Sequence, residues 1–458
     1  MTKKGDEKMR TIAFHNLGCK VNSYELDFMT QKCVELGYEI VEFEQKADIY
    51  IVNTCSVTNI ADRKSRQMLH KAKKNNPDSI VVAVGCFVQA NPEEVMKDEA
   101  IDIIVGNNKK KEIFEIIEEY LTKKEAESLD KDLSGSTITD VHNCEYEEMK
   151  VVSSFERSRA YVKIQDGCDR YCTYCIIPYV RGNIRSRKAE DVLAEIREIA
   201  IKGYKEIVIT GIHISSYGKD FENENDPRVN LIKLLRDINE IEGIERIRIG
   251  SFEPMILSED FVKDLSLINK LCPHFHISLQ SGCDSVLKRM NRHYNANQYY
   301  EKVELLRKYF PGCAITTDVI VGFPGETEEE FEVTKDFLKK VKFFETHIFP
   351  YSRRKGTIAD KMPGQLTAEE KKVRVKELLA LDEKESSEFR KSKCNSENNI
   401  IVEEIKTIQN KEYYVGHTPE YVMVAIDKDN LNDDYIGKEI KVFLKCTLNE
   451  EILLGELI

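Results

Sequence analysis

The sequence predicts an α/β protein with an N-terminal doubly wound α/β domain, a central open barrel of six β/α units, and a small all-β module at the C-terminal end. Short β-rich segments alternate with segments of helical periodicity through residues 11–120 and again through about 159–390. From residue 392 onward only short β-rich segments follow one another. Because alternating strands and helices form mainly parallel sheets, the first two parts are α/β domains and the third is all-β.

The first domain contains four predicted strands and three predicted helices. The strands are 11–15, 49–53, 80–84 and 101–105, and the helices are 24–36, 61–74 and 109–120. Residues 119–150 are charged and rich in Ser and Thr without a clear period, which indicates a linker or a covering loop.

The second domain contains six predicted strands, each short and β-rich. They are 161–165, 206–210, 246–251, 274–279, 314–321 and 345–350, and the main helices are 188–202, 231–241, 299–309 and 328–341. Six β/α units predict an open barrel, whose functional end is the rim at the carboxyl ends of the strands. The third domain has predicted strands at 400–404, 413–416, 421–426 and 440–444. The predicted boundaries are 8–122, 123–155, 156–391 and 392–458, the second of these being the linker.

Composition limits the class of protein. The 458 residues are 41% hydrophobic, no apolar run approaches 18 residues, and the Lys-rich start is not followed by an apolar segment, so neither a membrane span nor a secretory signal is expected. Thirteen cysteines in such a chain favour metal or redox chemistry over disulfides. We therefore expect a cytoplasmic protein without a membrane partner.

Positive charge is concentrated in two segments, although the whole chain has a net charge of −12. Residues 61–74 hold six Lys or Arg against one Asp, and residues 156–188 hold eight against three acidic residues. Each segment adjoins cysteines. A basic helix face is often only a solvated surface, but two such segments beside candidate metal ligands favour a phosphate-bearing substrate.

Cys168, Cys172 and Cys175 follow the pattern C-x3-C-x2-C, which supplies three thiolates within eight residues and no fourth. A closed zinc site and an ordinary iron–sulfur cube each need four ligands. Three ligands fit better a [4Fe-4S] cluster with one open iron, where S-adenosylmethionine can bind and be cleaved reductively. Such cleavage gives a radical that can attack carbon–hydrogen bonds beyond the reach of side-chain acids and bases.

Cys19, Cys55 and Cys86 each follow a predicted strand of the first domain. Because the loops beyond the carboxyl ends of parallel strands converge, these three thiols are expected to meet. A free cysteine is often simply a small buried residue, which is the alternative for each of them alone.

Further candidates lie near the cysteines or on the predicted barrel rim. Tyr174 precedes Cys175 and is expected to pack near the cluster or the adenine of the cofactor. The other candidate cofactor-binding residues end the second and fourth strands of the barrel: Thr210, Gly211, Gln280 and Ser281. Three arginines of the next loop, and the basic segment 352–357, are candidates to bind phosphate or carboxylate: Arg181, Arg185 and Arg187.

These motifs resemble those of the radical S-adenosylmethionine methylthiotransferase family along nearly the whole chain, with a TRAM-like module at the end. The resemblance implies that Cys168, Cys172 and Cys175 hold the radical-generating [4Fe-4S] cluster. It implies that the dispersed cysteines, Cys19, Cys55 and Cys86, hold an auxiliary [4Fe-4S] cluster that carries the sulfur. One S-adenosylmethionine is then the methyl donor and another the radical source. No catalytic side chain is assigned beyond the cluster ligands.

The segments LGCKVNSYE at 17–25 and NTCSVTNIADRKSRQ at 53–67 are most similar to one branch of the family. That branch methylthiolates carbon 2 of N6-threonylcarbamoyladenosine at position 37 of tRNA, next to the anticodon. Other branches act on isopentenyl-adenosine at the same place or on an aspartate of a ribosomal protein. The resemblance also implies an electron donor such as flavodoxin and a sulfur source, which the sequence does not identify.

The C-terminal module leaves the substrate open. Residues 392–458 hold seven Lys against thirteen acidic residues, whereas a module that binds RNA phosphates is expected to be basic. It would contact RNA through a small patch or through aromatic residues, namely Tyr413, Tyr414 and Tyr421, or it would bind a protein. Two other classes remain as alternatives: an RNA-binding protein with structural zinc, and a cobalamin-dependent radical enzyme, whose usual D-x-H-x-x-G signature the sequence lacks.

Overall fold

The computed structural model describes residues 9–126, 137–152, 158–223, 225–430 and 434–458. The chain forms two compact units. Unit 1 consists of Met1–Ser153, Gln165–Arg187 and Ser352–Thr357, and unit 2 of Ser154–Ile164, Lys188–Tyr351 and Ile358–Ile458. The linker predicted at 123–155 and the start of the basic segment 156–188 lie partly outside the described residues, and the predicted domain boundaries stay predictions.

Unit 1 is built on a parallel sheet of five strands in the order β2-β1-β3-β4-β5. Its strands are β1 (Thr11–Asn16), β2 (Glu39–Ile40), β3 (Ile49–Thr54), β4 (Ile80–Gly85) and β5 (Ile103–Val105). Its helices are α1 (Lys20–Glu35), α2 (Asn59–Asn75), α3 (Cys86–Ala90), α4 (Pro92–Val95) and α5 (Ile113–Glu125). The central strands β3 and β4 are buried along their whole length, as expected for parallel strands that are covered on both faces.

Unit 1 also contains a segment from the centre of the chain. Strand β6 (Arg159–Asp166) begins in unit 2 and ends in unit 1, and it is followed in unit 1 by α6 (Ile177–Arg181) and β7 (Arg185–Ser186). The end of β6 pairs antiparallel with β7. The loop that carries the C-x3-C-x2-C motif lies between β6 and α6, so it belongs to unit 1.

Unit 2 contains the other strands and helices of the open barrel. The strands are β8 (Glu206–Gly211), β9 (Arg246–Ile249), β10 (Ser251–Phe252), β11 (His274–Ile277), β12 (Ala314–Val321) and β13 (Glu345–Pro350). The helices are α7 (Ala189–Ile201), α8 (Pro227–Asn239), α9 (Glu259–Leu265), α10 (Asp284–Arg289), α11 (Ala296–Tyr309), α12 (Glu328–Val341) and α13 (Ala368–Ser392). Strands pair in the orders β7-β6-β8-β9 and β10-β11-β12-β13, and the recorded pairs among β8 to β13 are parallel.

The barrel strands turn one face toward the covering helices. Phe275, Ile277, Ile315 and Val319 of β11 and β12 join the main apolar core, which the helices complete. Several helices start at capping boxes, among them α12 at Thr327. The fold class predicted from the sequence is confirmed, although the 25-residue helix α13 is not among the predicted elements.

The C-terminal module is a closed barrel of five strands in the order β14-β15-β16-β18-β17. They are β14 (Ser396–Ile408), β15 (Lys411–His417), β16 (Met423–Asp427), β17 (Glu439–Thr447) and β18 (Ile452–Leu457). Tyr413 and Tyr414 are buried in this module, so the expectation that their rings contact RNA is wrong.

Tyr421 connects the module to the barrel strands of unit 2. The guanidinium carbons of Arg159 and Arg248 lie 4.9 Å and 4.7 Å from its ring centroid, and the ring of His417 stacks on it at 4.5 Å. Tyr421 therefore serves the packing between the two parts of unit 2. Within the described residues, no helix is both long and apolar enough to cross a membrane.

Candidate active site

Three neighbouring strands of unit 1 each deliver one cysteine to the carboxyl edge of the sheet. Cys19 is the residue before α1, Cys55 follows β3, and Cys86 opens α3 directly after β4. Because β1, β3 and β4 are adjacent and parallel, the three residues leave the sheet at the same edge. The thiol of Cys55 interacts electrostatically with those of both Cys86 and Cys19. The convergence predicted for these cysteines is thus present in the structure.

Two glycines leave room for this arrangement. Gly18 has φ +117°, and a Cβ added there would lie 3.1 Å from the Sγ of Cys55. Gly85 has φ +106°, and its Cβ would lie 2.6 Å from the carbonyl oxygen of Thr54. Only glycine accepts both the left-handed backbone and the close contact, so these positions fix the chain beside Cys19 and Cys86.

Amide side chains hold the cysteine loops together. Asn22 donates hydrogen bonds to the carbonyl oxygens of Leu17 (2.7 Å) and Thr54 (3.0 Å), which flank Cys19 and Cys55. Asn107 donates to the Sγ of Cys86 at 3.7 Å and to the carbonyl oxygen of Val180 at 2.7 Å. A hydrogen bond to sulfur stabilises the thiolate form that a metal needs.

The compact loop of the C-x3-C-x2-C motif lies in the same unit. The amide of Cys168 donates to the carbonyl oxygen of Gly182 (3.0 Å), and the amide of Cys175 donates to that of Cys172 (2.9 Å). All three of these cysteines are partly exposed, and Cys168 interacts electrostatically with Cys172. Three accessible thiols on one loop suit a cluster that also binds an external ligand.

Direct packing joins this loop to the dispersed cysteines. The helix α6 that follows Cys175 packs on α3, so that Cys86, Ile176 and Val180 form one apolar cluster. The bond from Asn107 to Val180 supports the same contact. Unit 1 therefore contains both cysteine sets and the packing between them.

Arg181 connects the two sets through hydrogen bonds. Its side chain is 1% exposed, and it donates to Glu25 (2.9 Å), Asp166 (3.2 Å) and Asn22 (2.8 Å). Glu25 also pairs with the fully buried Lys110. Burial alone would lower the pKa of Arg181, but the nearby Cys86, Glu25 and Asp166 raise it well above its usual value. A permanent positive charge thus lies beside the cysteines.

The donor set fits iron–sulfur clusters. Burial raises the pKa of Cys55 to about 12 and that of Cys168 to about 11. These two metal-free thiols are therefore protonated near neutral pH, and a bound metal ion must displace their protons. Each set offers three thiols, and thiolates are the ligands that iron–sulfur clusters use.

The candidate cofactor residues are divided between the units. Tyr174 is partly buried in the cysteine loop of unit 1, whereas the other four lie in unit 2. Thr210 and Gly211 end β8. Gln280 has φ +73°, a strained conformation that is common at functional sites. The hydroxyl of Ser281 lies 3.1 Å from that of Thr334 and accepts from the amide of Cys283.

The arginines proposed to bind phosphate are buried in ion pairs or hydrogen bonds instead. Arg187 pairs with Glu148, Arg185 donates to the carbonyl oxygen of Val141, and Arg181 has the partners given above. In segment 352–357, Arg354 is 5% exposed and pairs with Asp62 at 2.8 Å. The phosphate interpretation is wrong for these four side chains, because they are buried and already have partners within the protein.

Exposed positive charge remains in unit 1, at the start of α2 and beside Arg354. Arg63 and Lys64 in the first turns of α2 are exposed, and so is Lys355 next to Arg354. Farther along α2, three cations have acidic partners, in the pairs Arg66–Glu94, Lys71–Glu44 and Lys73–Asp102. We define Arg63, Lys64 and Lys355 as the α2 basic patch; the Arg354–Asp62 pair holds its two chain segments together.

Sequence reasoning missed the charged residues that support the cysteines. Glu25 lies in the segment 17–25, where nothing distinguishes it from a surface carboxylate, and Lys110 belongs to a run of three lysines that is typical of a surface. Asn107 gives no signal at all, because its contact with Cys86 depends on the tertiary structure.

Comparison with known proteins agrees with this geometry. Residues 11–106 match the uncharacterized protein family UPF0004, and residues 162–338 match the radical SAM superfamily. A solved radical S-adenosylmethionine methyltransferase, TsrM from Kitasatospora setae, has a TM-score of 0.54 over 76% of each chain at 15% identity, which shows a shared fold. The fold and the cysteine loop together define a radical S-adenosylmethionine enzyme.

Relatives that match along most of their length show which family of radical S-adenosylmethionine enzymes the chain belongs to. The chain is 41% identical over 436 residues to the threonylcarbamoyladenosine tRNA methylthiotransferase MtaB of Bacillus subtilis, covering 95% of this chain and 93% of that protein. The MtaB protein of Aquifex aeolicus is also 41% identical, with 86% and 93% covered. The tRNA-2-methylthio-N(6)-dimethylallyladenosine synthase of Clostridium tetani is 36% identical, with 96% and 94% covered. The chain belongs to the radical S-adenosylmethionine tRNA methylthiotransferase family.

Family membership settles the general chemistry. The chain is an enzyme whose cofactors are [4Fe-4S] clusters, two in this family, and S-adenosylmethionine. The alternatives of a zinc-containing RNA-binding protein and of a cobalamin-dependent enzyme are set aside by relatives that match nearly the whole chain.

Proposed function

We propose that this enzyme methylthiolates carbon 2 of N6-threonylcarbamoyladenosine at position 37 of tRNA. The observation that carries the proposal is the presence of two three-cysteine sets in one compact unit, linked by Arg181 and by the α3–α6 packing. The names of the 41% identical relatives support the choice of nucleoside.

Cys168, Cys172 and Cys175 would hold the radical-generating cluster, and Cys19, Cys55 and Cys86 the auxiliary cluster. When bound, the first supplies the electron that cleaves one S-adenosylmethionine, and the second supplies the sulfur that another S-adenosylmethionine methylates. Each set provides three of four iron ligands, so each cluster keeps one position for an external ligand.

The chain's own residues position these groups. Gly18 and Gly85 allow close approach of the backbone, and Asn107 donates a hydrogen bond to a ligand sulfur. Arg181 offsets the negative charge that thiolates and sulfide bring to a buried site. We assign the binding of S-adenosylmethionine to five residues: Tyr174, Thr210, Gly211, Gln280 and Ser281.

The α2 basic patch supports tRNA as the partner, because Lys and Arg without acidic partners bind backbone phosphates. It lies in the same unit as Cys55, whose cluster would supply the sulfur. We also propose that the enzyme receives electrons from a donor such as flavodoxin, obtains sulfur from a separate source and works in the cytoplasm. Its proposed domains are 8–122, the linker 123–155, 156–391 and 392–458.

The second candidate substrate is the isopentenyl-type adenosine of the same tRNA position, because relatives with the dimethylallyladenosine name are 36% identical. Methylthiolation of a ribosomal protein aspartate is the third, favoured only by the acidic C-terminal module.

Mass spectrometry of tRNA nucleosides from a strain that lacks the gene tests the choice. We expect loss of the methylthio form of threonylcarbamoyladenosine, with its restoration by the wild-type gene and not by a Cys172→Ala variant. Loss of the methylthio form of isopentenyl-adenosine would select the second candidate, and an unchanged nucleoside profile would select the protein substrate.

A further inference from the structure

Three polar side chains meet on the inward face of the barrel strands in unit 2. His276 lies on β11, Asp318 on β12 and His347 on β13, and the register pairs Asp318 directly with His347. The intervening residues, such as Phe275 and Val319, point to the opposite face and join the apolar core. Because successive side chains of a strand alternate between faces, the three share one surface of the sheet.

The spacing of these side chains is compatible with binding of one metal ion. Each offers one ligand atom, and the three atoms lie within 4.8 Å of one another. The Nε2 of His276 is 3.3 Å from the Oδ2 of Asp318, which is long for a hydrogen bond. Two ligands about 2.1 Å from one ion, at an angle of roughly 100°, are separated by about 3.2 Å. The imidazole and carboxylate are thus spaced as they would be around a shared cation.

A supporting contact fixes the orientation of one ligand. The Nδ1 of His276 lies 3.0 Å from the Oγ1 of Thr316, so a hydrogen bond there leaves Nε2 as the nitrogen that faces Asp318. Histidine ligands of metals are commonly held in this way through their second ring nitrogen. The side chains of His276 and Asp318 are 12% and 30% exposed, and His347 is exposed, so an ion could enter.

We propose that His276, Asp318 and His347 bind a first-row divalent metal ion, separate from the iron of the two clusters. Two imidazoles and one carboxylate on one side of an ion are typical ligands of Mn²⁺ or Fe²⁺, and this arrangement leaves coordination positions open. Oxygen-bearing ligands suit those positions, since both ions accept carboxylate and hydroxyl oxygen. None of its three proposed ligands is a cysteine.

Titration of the anaerobically reconstituted enzyme with Mn²⁺ tests the site, with free Mn²⁺ measured by electron paramagnetic resonance. Mn²⁺ prefers nitrogen and oxygen ligands, so it distinguishes this site from the thiols. We expect one Mn²⁺ per chain, and affinity lowered about tenfold or more by Thr316→Val, which removes only the supporting hydroxyl. His347→Ala should abolish the site, and because His347 is exposed, the fold is expected to tolerate the change.

His293→Ala is the matched control, since His293 is an exposed histidine of the same unit. It should bind Mn²⁺ like the wild type, and iron content should be equal in every variant. The proposal is overturned if the wild type takes up no Mn²⁺, or if His347→Ala binds it with wild-type affinity.

Discussion

Arg181 donates a hydrogen bond to Asp166, with 3.2 Å between Nη1 and Oδ1. The further hydrogen bonds of these two side chains show which parts of the chain the Arg181–Asp166 bond connects. Asp166 accepts from the amide of Gly167, directly before Cys168, and Arg181 also bonds to Asn22 and Glu25 of the helix that follows Cys19. One buried guanidinium thus attaches the loop of the C-x3-C-x2-C motif to the helix that follows Cys19.

Replacement of Arg181 is expected to disturb both cysteine sets. Arg181→Gln leaves Glu25 and Asp166 with less compensation in a buried site, and breaking a buried ion pair costs about 3–5 kcal/mol. We expect iron content after anaerobic reconstitution to fall well below that of the wild type. Arg228→Gln is the control, because Arg228 forms an exposed pair with Asp226 and should leave iron content unchanged. Full iron content in Arg181→Gln would refute the linking role.

The α2 basic patch is expected to bind tRNA. Charge reversal in the double variant Arg63→Glu, Lys64→Glu should weaken tRNA binding about tenfold or more and reduce its dependence on salt, because each lost phosphate contact lowers the salt slope by about 0.7–0.9. Fluorescence anisotropy at several salt concentrations measures both quantities. Lys74→Glu, at the far end of the same helix, is the control and should keep the wild-type salt slope. If the double variant also kept the wild-type salt slope, the α2 basic patch would not be a binding site for tRNA phosphates.

Gly85 is expected to accept no side chain. A Cβ there would lie 2.6 Å from the carbonyl oxygen of Thr54, so Gly85→Ala should displace Cys86 and lower the iron content of the auxiliary site. Gly37 also has a left-handed backbone, with φ +82°, but nothing lies within 4 Å of its Cβ position. Gly37→Ala therefore carries only the backbone cost of about 1–2 kcal/mol. Iron analysis and spectroscopy of each cluster measure the cluster content of the Gly85→Ala and Gly37→Ala variants. Equal cluster content in both variants would contradict the steric argument.

Asp382 of α13 gives a prediction for pH. Burial raises its pKa to about 6, although it accepts a hydrogen bond from the amide of Thr346. The unfolded chain ionises near pH 4 while the folded protein keeps the proton, so Asp382 lowers stability progressively as pH rises from about 4 to 6.

Asp382→Asn should therefore raise the free energy of unfolding at pH 8 by about 1 kcal/mol, a value reduced for partial exposure, and have little effect below pH 4. Thermal unfolding of both proteins at pH 4 and pH 8 measures the difference. An Asn variant that is less stable at pH 8 would show that the carboxylate is stabilising.

Sequence patterns were sufficient for the parts of the fold and site that depend on local signals. The strand before Cys55 and the strand before Cys86 are continuous β-rich runs, so their ends and the convergence of the cysteines could be predicted. The role of Arg181 could not, because its partner Glu25 lies 156 residues away and no periodicity relates them. His276 and His347 likewise become neighbours only through the packing of separate strands.

Some charged and aromatic residues that the sequence predicts to be exposed and to bind a ligand are buried in the structure. Residue type predicts a phosphate or carboxylate ligand at Arg187 and an RNA contact at Tyr414, yet both side chains are buried with partners in the protein. Residue type alone does not distinguish a phosphate ligand from a buried ion pair, because the same guanidinium geometry serves both.

The central claim is that the two cysteine sets have separate roles, and the Cys55→Ala variant tests it most directly. Anaerobic assays should measure cleavage of S-adenosylmethionine and methylthiolation of tRNA in the same sample, with Cys33→Ala as the control for loss of a buried thiol. We predict that Cys55→Ala still cleaves S-adenosylmethionine and forms no methylthio nucleoside, whereas Cys172→Ala does neither. Normal methylthiolation by Cys55→Ala would contradict the account.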